Sequence, residues 1–251
     1  MSTKSADNKS FVGRLTHRIR REQISFNNFV LTDGIFIALI VIPLLGAFII
    51  YRIHDAAIYM DQGSVAVHDN LLLSILTFGK LTMVVLIGYI LTFRFSKGQD
   101  NGIYGYWLAL GLDRERFFIY TTISLTLFST IGIYAGVLSN VLFFSLYLPV
   151  VDMLILFLLI LISQLFLIVL ILSLDEIIEW SEITLVSVLL PYFLINSFID
   201  TTTLPGAILF AENTIVSGEW LMPMIFQLVA AIILFYFAFS MHQSKDIELG
   251  G

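Results

Sequence analysis

Cysteine is absent from the 251 residues, so no disulfide scaffold can hold this fold. Charge is scarce as well. Asp, Glu, Lys and Arg make up 13% of the chain, about half of what a soluble domain carries. Too few charged side chains remain to coat a globule of this length, which excludes an ordinary soluble enzyme. Basic residues are outnumbered, 13 Lys and Arg against 19 Asp and Glu, for a formal net charge of −6. A nucleic-acid binder would show the opposite balance, so no nucleic-acid partner is expected. No Ser–His, paired-Asp or His–Glu arrangement occurs at a spacing that would support hydrolysis within a membrane. No catalytic residue is therefore expected in this chain.

What the sequence has in abundance is apolar length. Hydrophobic residues make up 58% of it and fall in long runs rather than short periodic ones. A helix needs about 20 such residues to cross the hydrocarbon layer. Six runs qualify, at about 34–51, 71–93, 117–138, 151–174, 183–199 and 221–240. The reading is an all-α polytopic membrane protein of six transmembrane helices, with residues 1–251 as a single transmembrane domain. Orientation follows from the cations. Lys4, Lys9, Arg14, Arg18, Arg20, Arg21, Arg94, Lys97, Arg114, Arg116 and Lys245 all fall on one side of a six-span layout, while Arg52 alone falls on the other. The positive-inside rule then predicts a multi-pass cell-membrane protein with both termini cytoplasmic. No cleavable signal peptide is expected, because the first apolar run starts late and is too long for one.

Residues 10–27 read as an amphipathic interfacial helix. Phe11, Leu15, Ile19 and Phe26 share one face and Arg14, Arg18 and Arg21 the other, a pattern suited to membrane lipid. A disordered basic leader that only enforces topology is the alternative. His54 and His68 share the 52–70 connection with Asp55, Asp61 and Asp69, but in no compact ligand spacing, so a solvated acidic loop and no metal site are expected. The 200–220 connection is too short to span and too apolar in its middle for water. Short interfacial or re-entrant helices are expected there.

Few polar side chains lie within the runs. Lys80 stands about 14 Å into the second span. It either lines a cavity, or snorkels, or pairs with Asp152 near the start of the fourth span. Gln164, Asn196 and Gln227 either bond between helices or line the same cavity. Pro191 is expected to kink the fifth span, and Gly132 and Gly136 to permit a close helix crossing.

The connection between spans two and three is the most informative. It runs R-F-S-K-G-Q-D-N-G-I-Y-G-Y-W-L-A-L-G-L-D-R-E-R over residues 94–116. A mere connector needs no Trp or Tyr. The aromatics serve either to anchor the segment in the membrane interface or to dock it into a groove on another protein. Asp100-Asn101-Gly102, then a short helix over Ile103–Leu108, then Leu110-Gly111-Leu112-Asp113-Arg114 leading into span three, together with the six-span layout, the basic amphipathic leader and the short hairpin before the last span, resemble the membrane permeases of type-2 ABC exporters. The departures are Asp100 in place of Glu, Gly111 in place of Pro, and Asp113 in place of a small hydroxyl residue.

The resemblance implies a permease subunit that pairs with a second permease subunit, as a homodimer or with a similar paralogue, to enclose a substrate path. It also implies a short cytoplasmic coupling helix that binds separate ABC ATPase subunits, carried here by Asp100, Gly102, Tyr104, Trp107, Leu108, Gly111 and Arg114. ATP and Mg would sit on that partner, and this chain itself carries no G-x-x-x-x-G-K-[ST] phosphate loop and no cofactor. Glu179 and Glu182, in the other cytoplasmic connection, are expected to touch the ATPase, to pair with Arg114 or Arg116, or simply to be solvated. A membrane scaffold or assembly subunit without any ATPase is the alternative function. An ion-coupled carrier is disfavoured, because the spans lack buried acidic residues.

Overall fold

The computed structural model describes residues 35–58, 66–92, 114–143, 148–178, 180–203 and 206–244. The expected surface helix at 10–27, residues 93–113 of the expected coupling segment, and Glu179 lie outside the described residues. Those residues build an all-α bundle. In chain order it comprises α1 (Ile35–Ile58), α2 (Ala66–Tyr89), α3 (Arg114–Phe143), α4 (Val150–Ile177), α5 (Ser181–Phe198) and α6 (Leu221–Ser244). Two 3₁₀ turns, Gly206–Ile208 and Ala211–Ile215, stand between α5 and α6.

Among the described residues, four helical stretches are long and apolar enough to cross a membrane: Leu71–Thr92, Glu115–Phe143, Val150–Ile177 and Leu221–Gln243. Two shorter apolar stretches, Ile37–Ile53 and Glu182–Phe198, lie where the first and fifth spans are expected. The helices outrun the apolar runs. α1 continues past Arg52, His54 and Asp55 to Ile58, and α3 begins at Arg114 rather than Phe117. Hydropathy marks only the stretch that hydrocarbon would surround, whereas the i→i−4 ladder keeps satisfying the backbone beyond it.

The outer faces are apolar. Ile232 and Ile233 on α6 are 61% and 63% exposed, and α1 turns Ile37, Leu45, Ile49 and Ile53 outward. Faces this continuous would be costly in water and are natural against lipid tails. The protein is a multi-pass membrane protein. Inside, α4 is the central helix, touching α2, α3, α5, α6 and the second 3₁₀ turn. It buries Leu156, Ile160, Ser163, Leu167 and Ile171, a stripe at i, i+3 or i+4.

The most extensive helix contacts are α1 with α3 and α4 with α6. Glycine makes the first of these close. A Cβ at Gly132 would strike the Leu39 carbonyl oxygen, and one at Gly136 would come within 3.0 Å of the Ala47 methyl. The close crossing expected at this glycine pair therefore lies within the chain. Pro43, inside α1, brings no N–H to the Leu39 carbonyl four residues earlier, and the Gly132 backbone closes over that same oxygen. Along α3, Thr122, Thr126 and Ser129 donate their hydroxyls to the Phe118, Thr122 and Leu125 carbonyls, so their polarity is spent within the helix.

Candidate functional site

The Lys80 side chain is fully buried. Its Nζ donates to the Ser163 carbonyl oxygen at 3.0 Å and to Ser163 Oγ at 2.5 Å. The Ser163 hydroxyl in turn donates to Glu212 Oε2 at 2.5 Å. Glu212 Oε1 stands 3.9 Å from Nζ, with both side chains shielded from solvent. A hydroxyl has one proton and two lone pairs, so Ser163 can accept from the ammonium while donating to the carboxylate. The result is a directed chain, Lys80 to Ser163 to Glu212, closed by the ion pair. The Tyr192 ring of α5 completes the enclosure, 5.6 Å from Nζ and within cation–π reach.

Three separate elements supply these groups: α2 gives Lys80, α4 gives Ser163, and the second 3₁₀ turn gives Glu212. Each charge alone would cost several kcal/mol to bury, and only the pair together with its hydrogen bonds makes the site tenable. Some polar capacity is left over. Glu212 Oε1, the Tyr192 hydroxyl and both amide atoms of Gln164 are buried without a hydrogen-bond partner.

The 3₁₀ segment is held in place by more than the charge pair. The Asn213 amide donates to Thr77 Oγ1 on α2 at 2.9 Å and to Thr201 Oγ1 at 2.8 Å. Gln227 on α6 donates to the Ile208 carbonyl at 3.0 Å. Phe210, fully buried, meets the Tyr192 ring edge to face at 5.6 Å. At the entry to the segment, Asp200 Oδ1 accepts the Thr202 backbone N–H at 2.9 Å and its hydroxyl at 2.7 Å. These bonds hold the Asp200 carboxyl below its ordinary range, the backbone bond contributing most. Gly206 is required here, because a Cβ would strike the Asp200 carbonyl.

Lys80 thus meets Ser163 and Glu212 rather than Asp152. Gln164 and Gln227 are fully buried on α4 and α6, and Asn196 is half-buried on α5. Gln227 bonds to the 3₁₀ segment rather than to Lys80. Asp100, Gly102, Tyr104, Trp107, Leu108 and Gly111 lie outside the described residues, and Arg114 opens α3. Sequence reasoning missed Ser163 and Glu212. The usable signal for Glu212 was an acidic residue closing the apolar stretch Ala-Ile-Leu-Phe-Ala, opposite in sign to the single cation within the spans. Among the described residues no group of three His, Asp or Glu gathers as a metal site would require.

A second polar tie joins the ends of α3, α4 and α6. His242 Nδ1 lies 3.0 Å from Glu176 Oε1, and the Gln243 amide donates to Glu115 Oε1 at 2.8 Å. The Phe118 ring packs on both His242 and Phe239. Between the same three helices, nearer their middles, lies an apolar groove of about 480 Å³ lined by Ile123, Leu127, Leu161, Leu165, Ile232 and Phe235 among others.

No protein-family model, no curated protein and no solved structure matches the chain. The fold that the described residues establish is that of a polytopic helical membrane protein.

Proposed function

We propose that the chain is the membrane-spanning permease subunit of an ATP-driven exporter of the type-2 ABC kind. In this reading it has six spans, a surface helix at 10–27, and both termini in the cytoplasm. It pairs with a second copy or a similar subunit. Ile103–Leu112 docks as a coupling helix on a separate ATPase, which holds ATP and Mg. The observation that carries the reading is the connection between α5 and α6. It folds as short 3₁₀ turns tucked back into the bundle directly before the last helix, and a short hairpin at this place is part of the layout on which the resemblance rests. In this reading the substrate path lies between two chains, and Lys80, enclosed within one of them, does not line it.

Tyr104, Trp107 and Leu108 fall at i, i+3 and i+4 and would form one apolar ridge on a short helix. Truncating an aromatic at the centre of such an interface typically costs about 2 kcal/mol or more. The test is the Tyr104→Ala/Trp107→Ala double variant, copurified with its ATPase from native membranes. Loss of the ATPase from a protein that still inserts and pairs is the expected result. A fully retained and coupled ATPase would rule out docking through this ridge. If no ATPase accompanies even the unaltered chain, the scaffold reading replaces the exporter.

A further inference from the structure

We propose that Glu212 is a proton-binding latch: protonation of its carboxylate releases the 3₁₀ segment Gly206–Ile215 from the interior of the bundle. The geometry points to this in three ways. First, Glu212 is the one member of the charged pair that stands on a connection rather than on a long helix. Lys80 and Ser163 are fixed by α2 and α4, so Glu212 is the partner that a movement of the connection, with loss of the Asn213 and Gln227 bonds, would carry away. Second, its carboxylate divides its work unevenly. Oε2 takes the Ser163 hydroxyl, while Oε1 is buried without a hydrogen bond and faces Nζ at 3.9 Å, which leaves one oxygen able to take a proton. Third, among the described residues Glu212 is the carboxylate that faces the Lys80 ammonium.

The surroundings of Glu212 bear out that third point. From α2 the facing charged group is Lys80, from α4 the polar contact is the Ser163 hydroxyl, and from α5 the titratable neighbour is Tyr192. α6, which also touches the segment, carries only Tyr236, which is exposed, and His242, which meets Glu176. One proton taken from solution forms an O–H bond on Glu212 and turns a neutral ion pair into a site of net charge +1. The Lys80 ammonium then keeps only Ser163 and the Tyr192 ring. A buried cation without its counter-ion is strongly disfavoured, and departure of the segment, which admits water to Nζ, relieves it. The latch is therefore closed while both groups carry their charges and opens when the carboxylate takes its proton. This inference stands apart from the exporter reading and needs no ATPase.

The absence of native cysteine makes the test clean. Ala207→Cys places a single thiol at a position that is 1% exposed within the first 3₁₀ turn. Glu219→Cys, at an exposed position, serves as the reference thiol at each pH. The full chain is reconstituted in phosphatidylcholine vesicles and labelled with a membrane-impermeant maleimide. Relative to the reference, labelling of the buried thiol should be slow in mildly alkaline buffer and rise by at least about tenfold on mild acidification. Adding Glu212→Gln should make labelling fast at every pH. Adding Lys80→Met to Glu212→Gln removes both charges and should restore slow, pH-independent labelling. No acid-driven rise in the Ala207→Cys protein itself, which carries the intact pair, overturns the latch. So does a rise that persists in the double-neutral background.

Discussion

The seam between α1 and α3 and the cluster joining α2, α4 and the 3₁₀ segment both close this bundle, and they do so by opposite means. At the seam, two glycines let the helices meet closely. At the cluster, a full ion pair and a shared hydroxyl are buried to hold a short connection in place. The first kind of contact depends on shape and is indifferent to pH. The second depends on charge, is conditional on protonation, and fails badly if only one partner is removed. Lipid supplies no hydrophobic drive between helices, so each must rest on its own physics.

The comparison breaks most sharply at Lys80. Lys80→Met strands Glu212 in the interior and should destabilise the folded protein by about 3–5 kcal/mol, whereas Lys80→Met/Glu212→Gln should regain most of that. Thermal unfolding in mild detergent reads both. Equal losses in the single and double variants would show that packing, not charge, governs the cluster. At the seam, Gly132→Val drives a branched side chain into the Leu39 carbonyl and should cost about 1–3 kcal/mol or more, equally at acid and neutral pH. A pH-dependent loss there would erase the distinction between the two regions.

A smaller effect separates the charge from the neutral bonds beside it. Asn213→Ala removes the bonds to Thr77 and Thr201 and should cost about 1–2 kcal/mol, with little change in any acid response. The smallest effect concerns Asp200. Its carboxyl is held below the ordinary range by Thr202, so the turn is favoured above that range and loses the favour as the pH falls through the lowered value. Protection of the Thr202 amide, taken relative to its intrinsic exchange rate at each pH, should fall on acidification, and Asp200→Ala should abolish the dependence. The site is exposed, so no change in global stability should accompany it.

Much of the frame was legible because hydropathy is a one-dimensional property. Four of the expected spans correspond to long apolar helices, and Lys80 stood out as a cation within one of them. Its partner was not legible. Asp152 was the nearest acid by depth along the neighbouring apolar runs, whereas Glu212 reaches Lys80 only because a connection folds back between helices. That is a tertiary event which no run length encodes. Ser163 was hidden for another reason: a lone serine in an apolar helix ordinarily bonds its own backbone, as Ser129 and Ser173 do here. The glycine pair at 132 and 136 was readable as a close crossing, but its partner helix was not, since spacing describes one surface and not the surface it meets.

Pro43 and Gly132 have a mechanical consequence. A helix can roll along a smooth neighbour at little cost, but here a carbonyl that Pro43 leaves without its helical donor sits under Gly132, which has no side chain to obstruct it. Rolling α3 about its axis to either side would bring the branched side chain of Ile131 or Ile133 toward that oxygen. The contact therefore works as a key in a keyway. α1 and α3 must travel as one stave, and any relative motion within the bundle is left to the joints that α2, α4, α5 and α6 make around the charged latch.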